Sequence, residues 1–488
     1  MNPTNWIASR AGAAPARARR AWRSAVLAAA VAALAGCAWP GASAPTARMM
    51  QPAQLGLAAQ PAVFPRQDWW KSFGDARLDA LEQRALRDSP DLAQALARQR
   101  QALAATGLAR SGLLPHVNGA LSSTRQHLSY NGLYPPPLGG MTYTEDQLML
   151  QGSYDFDFFG RNRARLRAAI GQARAAQAQA QAARLLITSG VAQEYFHLAG
   201  LAADGRVLQR MLRQRRDIAR LIGQRARAGL DNTLQQRQAQ AQIPALRVQI
   251  EANRQAQQQA RDALAALVGA GPQATAGLAP RLRLVPLPPL PQRLPASLLG
   301  HRPDVVAARW QVQSALASVQ QARASFYPDI NLSAFAGFDS LGFGQFLTAG
   351  SHAWGVGPAL DLPIFEGGAL RAQLRASHAA ADAAIDAYNG TLVAAVREVA
   401  DAVAQRRSLQ QQMQSQQRAL HLAAQAHRLT YRRYAAGLGN RLMVLQAQQP
   451  VLQLEQLGAR LKAQALVADV ALLRALGGGY QAPASAPH

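Results

Sequence analysis

The stretch Gly152-Ser-Tyr-Asp-Phe-Asp-Phe-Phe-Gly-Arg-Asn-Arg163, GSYDFDFFGRNR, decides the fold. Tyr154, Phe156 and Phe158 alternate with Asp155 and Asp157, the period-two pattern of a strand with unlike faces. After Gly160 the chain turns strongly helical. Two carboxylates two residues apart suit a metal site or an acid/base pair. They equally suit the wet side of a strand whose other side is greasy. A metal site would need further ligands, and the nine histidines show no helical i, i+4 pair. Upstream the alternation continues. Leu148, Leu150, Tyr154, Phe156 and Phe158 share one face, interrupted at Gly152, while Gln147, Gln151, Ser153, Asp155 and Asp157 share the other.

The strand recurs because the chain repeats itself. Ser89-Pro-Asp-Leu92 returns as Arg302-Pro-Asp-Val305, and Ala109-Arg-Ser-Gly-Leu-Leu-Pro115 as Ala322-Arg-Ala-Ser-Phe-Tyr-Pro328, both 213 residues on. Gly160-x5-Leu-Arg-Ala168 matches Gly368-x5-Leu-Arg-Ala376, and Arg225-Ala-Arg-Ala-Gly-Leu230 matches Arg433-Tyr-Ala-Ala-Gly-Leu438, both 208 residues on. Collinear matches with one length change indicate duplication. Each copy reads as helix, two strands, long helix, tight Gly turn, long helix. The first strands begin after Pro115 and Pro328. In the second copy Trp354, Val356, Leu360, Leu362 and Ile364 face Gly355, Gly357, Ala359 and Asp361. Ile330, Leu332, Ala334, Ala336 and Phe338 oppose Asn331, Ser333 and Gly337, with Phe335 out of pattern. Strands of about ten residues, apolar on one face and polar on the other, are the signature of transmembrane β-strands. A soluble sandwich strand shows the same alternation, and it is the leader and the long helices that favour the membrane.

The helices are long. No proline interrupts 160–228, which allows on the order of 100 Å of helix. In the second copy Leu392, Val396, Val399, Val403, Met413, Leu420 and Ala424 form a heptad seam. The turns RAGLDN (227–232) and AAGLGN (435–440) return the chain, with Gly229 and Gly437 supplying the left-handed position. Between the copies, the Pro-rich stretch 284–295 reads as an extended linker.

Composition agrees with such a body: Ala, Gln, Leu and Arg dominate and aromatics make up 6%. The net charge is +25, and Lys71 and Lys462 are the only lysines. The arginines are scattered along helical segments without a nucleic-acid motif, so nucleic acid is not expected as a partner. At the N-terminus, Arg10, Arg17, Arg19, Arg20 and Arg23 precede an apolar run over 24–34, too short to span a bilayer. It closes with Leu34-Ala35-Gly36-Cys37, which resembles a bacterial lipobox. There the thiol is diacylated and the chain is cut just before it. Cys37 is the only cysteine, so no internal disulfide forms. Loss of the five leader arginines lowers +25 to +20. Ala38, rather than Asp, follows the cysteine, which by analogy with enterobacterial lipoproteins favours the outer membrane.

With these features in place, the sequence resembles the outer-membrane efflux protein family, the TolC-like outer membrane factors, in their NodT-type lipoprotein branch. The residues that carry it are 34–37, Trp69-Trp-Lys-Ser-Phe-Gly-Asp75, Asp155-Phe-Asp-Phe-Phe-Gly-Arg161, His301-Arg-Pro-Asp-Val305, Phe326-Tyr-Pro-x-Ile330 and the two Gly turns. The resemblance implies a homotrimer, each chain giving four strands to one twelve-stranded barrel and its helices to a periplasmic α-helical coiled-coil tunnel. It implies a passive exit duct for drugs or other small toxic compounds, with no cofactor. An inner-membrane pump, RND-type favoured, would energise it through a periplasmic adaptor, and outer-membrane lipid would surround the barrel. On this reading 1–36 is a leader, 37–74 a lipid-linked arm, 75–280 and 296–478 the two efflux repeats, 281–295 the linker and 479–488 a tail. Asp155, Asp157 and Asp361 would face the barrel lumen. Many relatives close the periplasmic mouth with aspartate rings after the second Gly turn. Here 437–447 holds no carboxylate: Gln446 takes the matching position and Arg441 adds positive charge. Leu442 is then the expected constriction, with Asp231 as ion-pair partner for Arg441. No Ser/His/Asp motif, phosphate loop or cysteine pair suggests an enzyme. A periplasmic adaptor would carry one helical hairpin between β-rich halves, not two copies of this grammar.

Overall fold

The computed structural model describes residues 44–56, 64–284 and 298–481. The leader, Cys37 and most of the Pro-rich linker lie outside them. The duplication is visible as matched helices. Helix α1 (Ala76–Asp88) is followed by α2 (Pro90–Ser111), strands β1 (His116–His127) and β2 (Thr142–Asp155), α3 (Arg161–Arg227) and α4 (Thr233–Leu267). The second copy brings α5 (Pro303–Ala324), β3 (Asp329–Leu341), β4 (His352–Asp361), α6 (Ala369–Ala435) and α7 (Arg441–Ala475). Helices α2 and α5 have 22 residues each, α3 and α6 have 67, and α4 and α7 have 35. Pro90 and Pro303 open α2 and α5, where a missing N–H costs nothing.

The chain divides into two units. The first comprises residues up to 47, 104–171 and 312–384 and contains an antiparallel sheet in the order β1-β2-β3-β4. Its register brings like faces together. Leu148 stands opposite Leu121 and Phe338, and Leu150 opposite Gly119 and Ala336. Ala334 pairs with Val356, and Ile330 with Leu360. One face is therefore apolar, and it is open: Val117, Leu121 and Trp354 are 70%, 72% and 71% exposed. The opposite face carries Asn118, Ser122, Gln147, Gln151, Asn331 and Ser333. Phe335, out of pattern in the sequence, sits on this polar face over Gly355, where a Cβ would fall 2.6 Å from its ring. An aromatic laid over a glycine is a common way to fill such a site. The strands stop earlier than the alternation suggests. β2 ends at Asp155 instead of Phe158, and β4 at Asp361 before Leu362 and Ile364, because Pro363 has no N–H to offer the ladder.

Below the sheet, in the same unit, Val319, Ala322, Phe326, Leu374 and Ala381 form a core. Small residues let α3 and α5 close up. The Ser314 hydroxyl donates to the Ala168 carbonyl at 2.8 Å, and a Cβ on Gly171 would lie 2.9 Å from that of Ser314.

The second unit comprises residues 48–103, 172–311 and 385–488. Its main core gathers Trp69, Trp70, Phe73, Leu78, Val191, Tyr195, Leu264 and Leu466. This explains the Trp-Trp motif: Asp75 caps α1 by accepting from the Arg77 N–H at 3.0 Å and also accepts the Tyr195 hydroxyl at 2.6 Å. The Arg302 motif is likewise structural. Its buried guanidinium donates to the last carbonyl of α7, Ala475 at 3.0 Å, and to Asp304 and Glu398 at 2.7 and 3.0 Å. A cation at a helix C-terminus complements the dipole. The heptad seam of α6 is buried at Leu392 and Val399 and half-buried at Val396, Val403, Met413, Leu420 and Ala424.

Glu82 on α1 is fully buried, and neither carboxylate oxygen has a hydrogen-bond partner. Burial, with a smaller push from Asp79, raises its pKa from 4.5 to about 9, so it is neutral at pH 7. An unfolded glutamate releases its proton near 4.5 and the folded one near 9, so stability falls as pH rises through that window. The slope is at most about 1.4 kcal/mol per pH unit. Glu82→Gln should therefore raise the thermal midpoint more at pH 8 than at pH 5; equal shifts at both would contradict this.

Candidate functional site

Two regions carry the residues of interest: the corner where β2 becomes α3, and the turns that end α3 and α6. At the corner the last ladder bond runs from the Phe156 N–H to the Ile330 carbonyl at 3.3 Å. Asp157 then adopts φ 47° and Gly160 φ 76°, left-handed values that Asp tolerates and Gly prefers. The Asp157 carboxylate folds over the start of α3 and accepts the Asn162 and Arg163 N–H groups, both at 2.9 Å, and Arg163 Nε at 3.1 Å. Asp155 accepts the Asp157 N–H at 2.7 Å and Asn162 Nδ2 at 2.6 Å. Arg161 donates to both Asp155 and Asp329, tying β2 of the first copy to β3 of the second.

Asp155 and Asp157, expected to face the barrel lumen, are both engaged by the corner itself. Asp155 is on the polar face but engaged, and Asp157 is 8% exposed and lies beyond the strand. The reason is local: α3 opens with N–H groups that have no helical partner, and the Asp157 carboxylate satisfies two of them. Asp361 differs. It is exposed on the polar face, opposite Asp329 in the register. The aromatics of the corner stay on the surface. Phe156 packs between Tyr154 and Phe158, at 5.2 and 5.6 Å, and Phe159 stacks on Tyr327 at 4.8 Å. Arg161 and Asp329 were missed as a pair because nothing in the repeat offset links them.

The two turns share one construction. Gly229 and Gly437 have φ 74° and 76°. The Leu230 N–H returns to the Arg225 carbonyl and the Leu438 N–H to the Arg433 carbonyl, each at 2.9 Å. Asn232 and Asn440 then cap the next helices, accepting from Gln235 and Met443 N–H at 2.9 and 3.0 Å. Asp231 does not pair with Arg441. It is held by Arg225 through two hydrogen bonds, at 2.7 and 3.1 Å, because the turn folds that arginine back onto it. The guanidinium keeps the Asp231 carboxyl below its usual pKa range. In the second turn Gly439 stands where Asp231 does in the first. Among the described residues, Arg433 and Arg441 have no acidic partner within the chain. Arg441 opens α7, where a cation opposes the helix dipole. Leu442 is half-buried and Gln446 exposed on the following turns.

A sheet with an open apolar face, carried on paired long helices, defines a barrel-forming membrane channel chain. The family profile of outer membrane efflux proteins matches residues 81–270 and 294–478. The chain belongs to that family. It is 33% identical over 469 residues to the multidrug resistance outer membrane protein MdtP of Escherichia coli (strain K12), covering 92% of this chain and 94% of that one. It is 38% identical over 360 residues to the fusaric acid resistance protein FusA of Burkholderia cepacia, covering 71% and 67%. Its fold matches the crystal structure of the outer membrane protein VceC from Vibrio cholerae with a TM-score of 0.78 and 35% identity, over 86% of this chain and all of that one. The protein is an efflux channel of the outer membrane, a conduit and not an enzyme.

The corner can be tested. Asp157→Asn tolerates the left-handed backbone but keeps one acceptor oxygen of two and turns an NH2 group toward the Arg163 donors, so its urea midpoint should fall between those of the wild type and Asp157→Ala. Asp157→Ala loses the cap and should cost about 1–2 kcal/mol. Equal midpoints for both variants would show that the cap is not stabilising.

Proposed function

We propose that this chain is one third of a passive exit duct that carries drugs or other small toxic compounds outward in a tripartite efflux assembly. The open sheet carries the proposal. In the order β1-β2-β3-β4, β1 and β4 each have a single neighbour, along strands of 12 and 10 residues. In hydrocarbon each unpaired backbone group costs several kcal/mol, so four strands with an apolar outer face need other copies to close them. Three copies give twelve strands, with Phe156 and Leu360 toward lipid and Asp361 toward the lumen. The long helices then serve as the periplasmic conduit, reached by an adaptor and an RND-type pump of the inner membrane. The multidrug and fusaric acid resistance in the relatives' names supports small toxic compounds as cargo. The protein should run as an SDS-resistant, heat-modifiable trimer from outer-membrane fractions, and its loss should sensitise cells to exported compounds. A monomer in the soluble fraction would contradict the reading.

Two further elements belong to the proposal. Cys37 is the acylated N-terminus, because only a thiolate in that lipobox accepts the diacylglyceryl group. Wild-type protein should take up labelled palmitate and Cys37→Ser should not; unlabelled wild type would sink the assignment. The periplasmic gate is formed by Leu442 and Gln446 with Arg441 beside them. Unit charges at 4 Å in an effective dielectric of 20 interact by about 4 kcal/mol. With Asp231 engaged by Arg225, three copies of Arg441 bias the mouth against cations. Planar-bilayer recordings should show weak or anion-leaning selectivity, shifting toward cations in Gln446→Asp and Arg441→Ala. A strongly cation-selective pore unmoved by either change would place the gate elsewhere.

A further inference from the structure

Helix α6 holds the chain's own N-terminal arm by its main chain. Asp382 Oδ1 accepts the N–H groups of Thr46 and Ala47, both at 2.8 Å, and Oδ2 accepts the Thr46 hydroxyl at 3.1 Å. Two turns further along α6, Asn389 does the same with a different group. Its Oδ1 accepts the Met50 N–H and its Nδ2 donates to the Arg48 carbonyl, both at 2.9 Å. Pro45, Ala47 and Met49 are half-buried, alternating with exposed Ala44, Thr46, Arg48 and Met50. That is an extended segment with one side laid down. The spacing fits. Seven helical residues rise about 10.5 Å, and three extended residues span about 10 Å. Residue order also fixes direction: the arm runs with α6, so its upstream end points toward the helix start at Ala369, on the side of β4.

We propose that Asp382 and Asn389 are a receptor for the N-terminal arm, and that by gripping residues 46–50 they set the free length of the tether between α6 and the acylated Cys37. The tether half of this rests on the lipoprotein reading; the receptor half does not. Nine residue steps separate Cys37 from Thr46, a reach of at most about 31 Å. Thirteen residues of α6 separate Asp382 from Ala369, about 20 Å. The tether is therefore long enough for an acyl anchor to reach the level of the sheet while the grip stays closed, with a margin of about three residues. Because all but one of the bonds engage the arm's backbone, the receptor reads an extended chain rather than a sequence.

The Arg48–Met49 bond lies inside the grip, and a protease needs that backbone free. Limited trypsin digestion of the intact trimer, followed by mass spectrometry of the new Met49 terminus, reads the receptor directly. The wild type should be cut at this bond at least tenfold more slowly than Asp382→Ala/Asn389→Ala, with the SDS-resistant trimer retained in both. Asp382→Asn, which keeps a carbonyl acceptor, should fall between. Equal cleavage in wild type and double variant would overturn the receptor. Deleting residues 39–43 leaves four steps, about 14 Å, which is short of the helix start. In acylated protein this deletion should expose the bond. The same deletion behind an ordinary signal peptide with Cys37→Ser should leave it protected. Protection in both would overturn the tether role, and absence of palmitate label in wild type would overturn the lipoprotein reading while leaving the receptor result standing.

Discussion

A bilayer offers no hydrogen bonds, and that constraint governs the rest of this molecule. Four antiparallel strands with an apolar outer face present backbone donors and acceptors along two edges. Water would satisfy them and lipid cannot. The edges are also long, so they cannot be hidden by one loop or bulge. Closure with further copies removes them, and the duplicated chain supplies two hairpin halves already joined in register. Arg161 reinforces that join by reaching from the first copy to Asp155 and Asp329 at once.

The same logic holds where the strand hands over to helix. α3 opens with backbone N–H groups that have no helical partner, and Asp157 satisfies two of them from a left-handed backbone position. The carboxylates that look like a chemical site are structural. The long helices that follow have little aromatic bulk to bury. They approach closely through Gly and Ala instead; a Cβ on Gly200 would lie 2.4 Å from that of Ala463. Close backbone approach gives dispersion contact in place of large side chains.

Much of this was legible in the residues. The duplication, the strand starts after Pro115 and Pro328, the two faces of the sheet and the Gly turns all follow from local pattern. Local pattern also misled. Alternation carried β2 on to Phe158, because periodicity does not reveal that a helix start competes for Asp157. The pairing of Asp231 with Arg441 assumed that two turns meet, whereas a residue six positions back reached it first. Asp382 and Asn389 gave no sign of their role, since each looks like any polar residue on a helix surface. A partner more than 330 residues away leaves no local trace. The isolated Glu82 was hidden for the same reason: its burial comes from tertiary packing.

Closure of the sheet by other copies is the central claim, and covalent capture tests it most directly. Cysteines placed in pairs along the free edges, one on β1 between Asn118 and Thr124 and one on β4 between Trp354 and Ala359, are oxidised in outer-membrane vesicles. Protein carrying neither introduced cysteine reports any background linkage through the native Cys37. Closure by three copies predicts that at least one pair yields a covalent species that stops at the trimer. A ladder running past three, or no inter-chain link at any pair in folded protein, would contradict it.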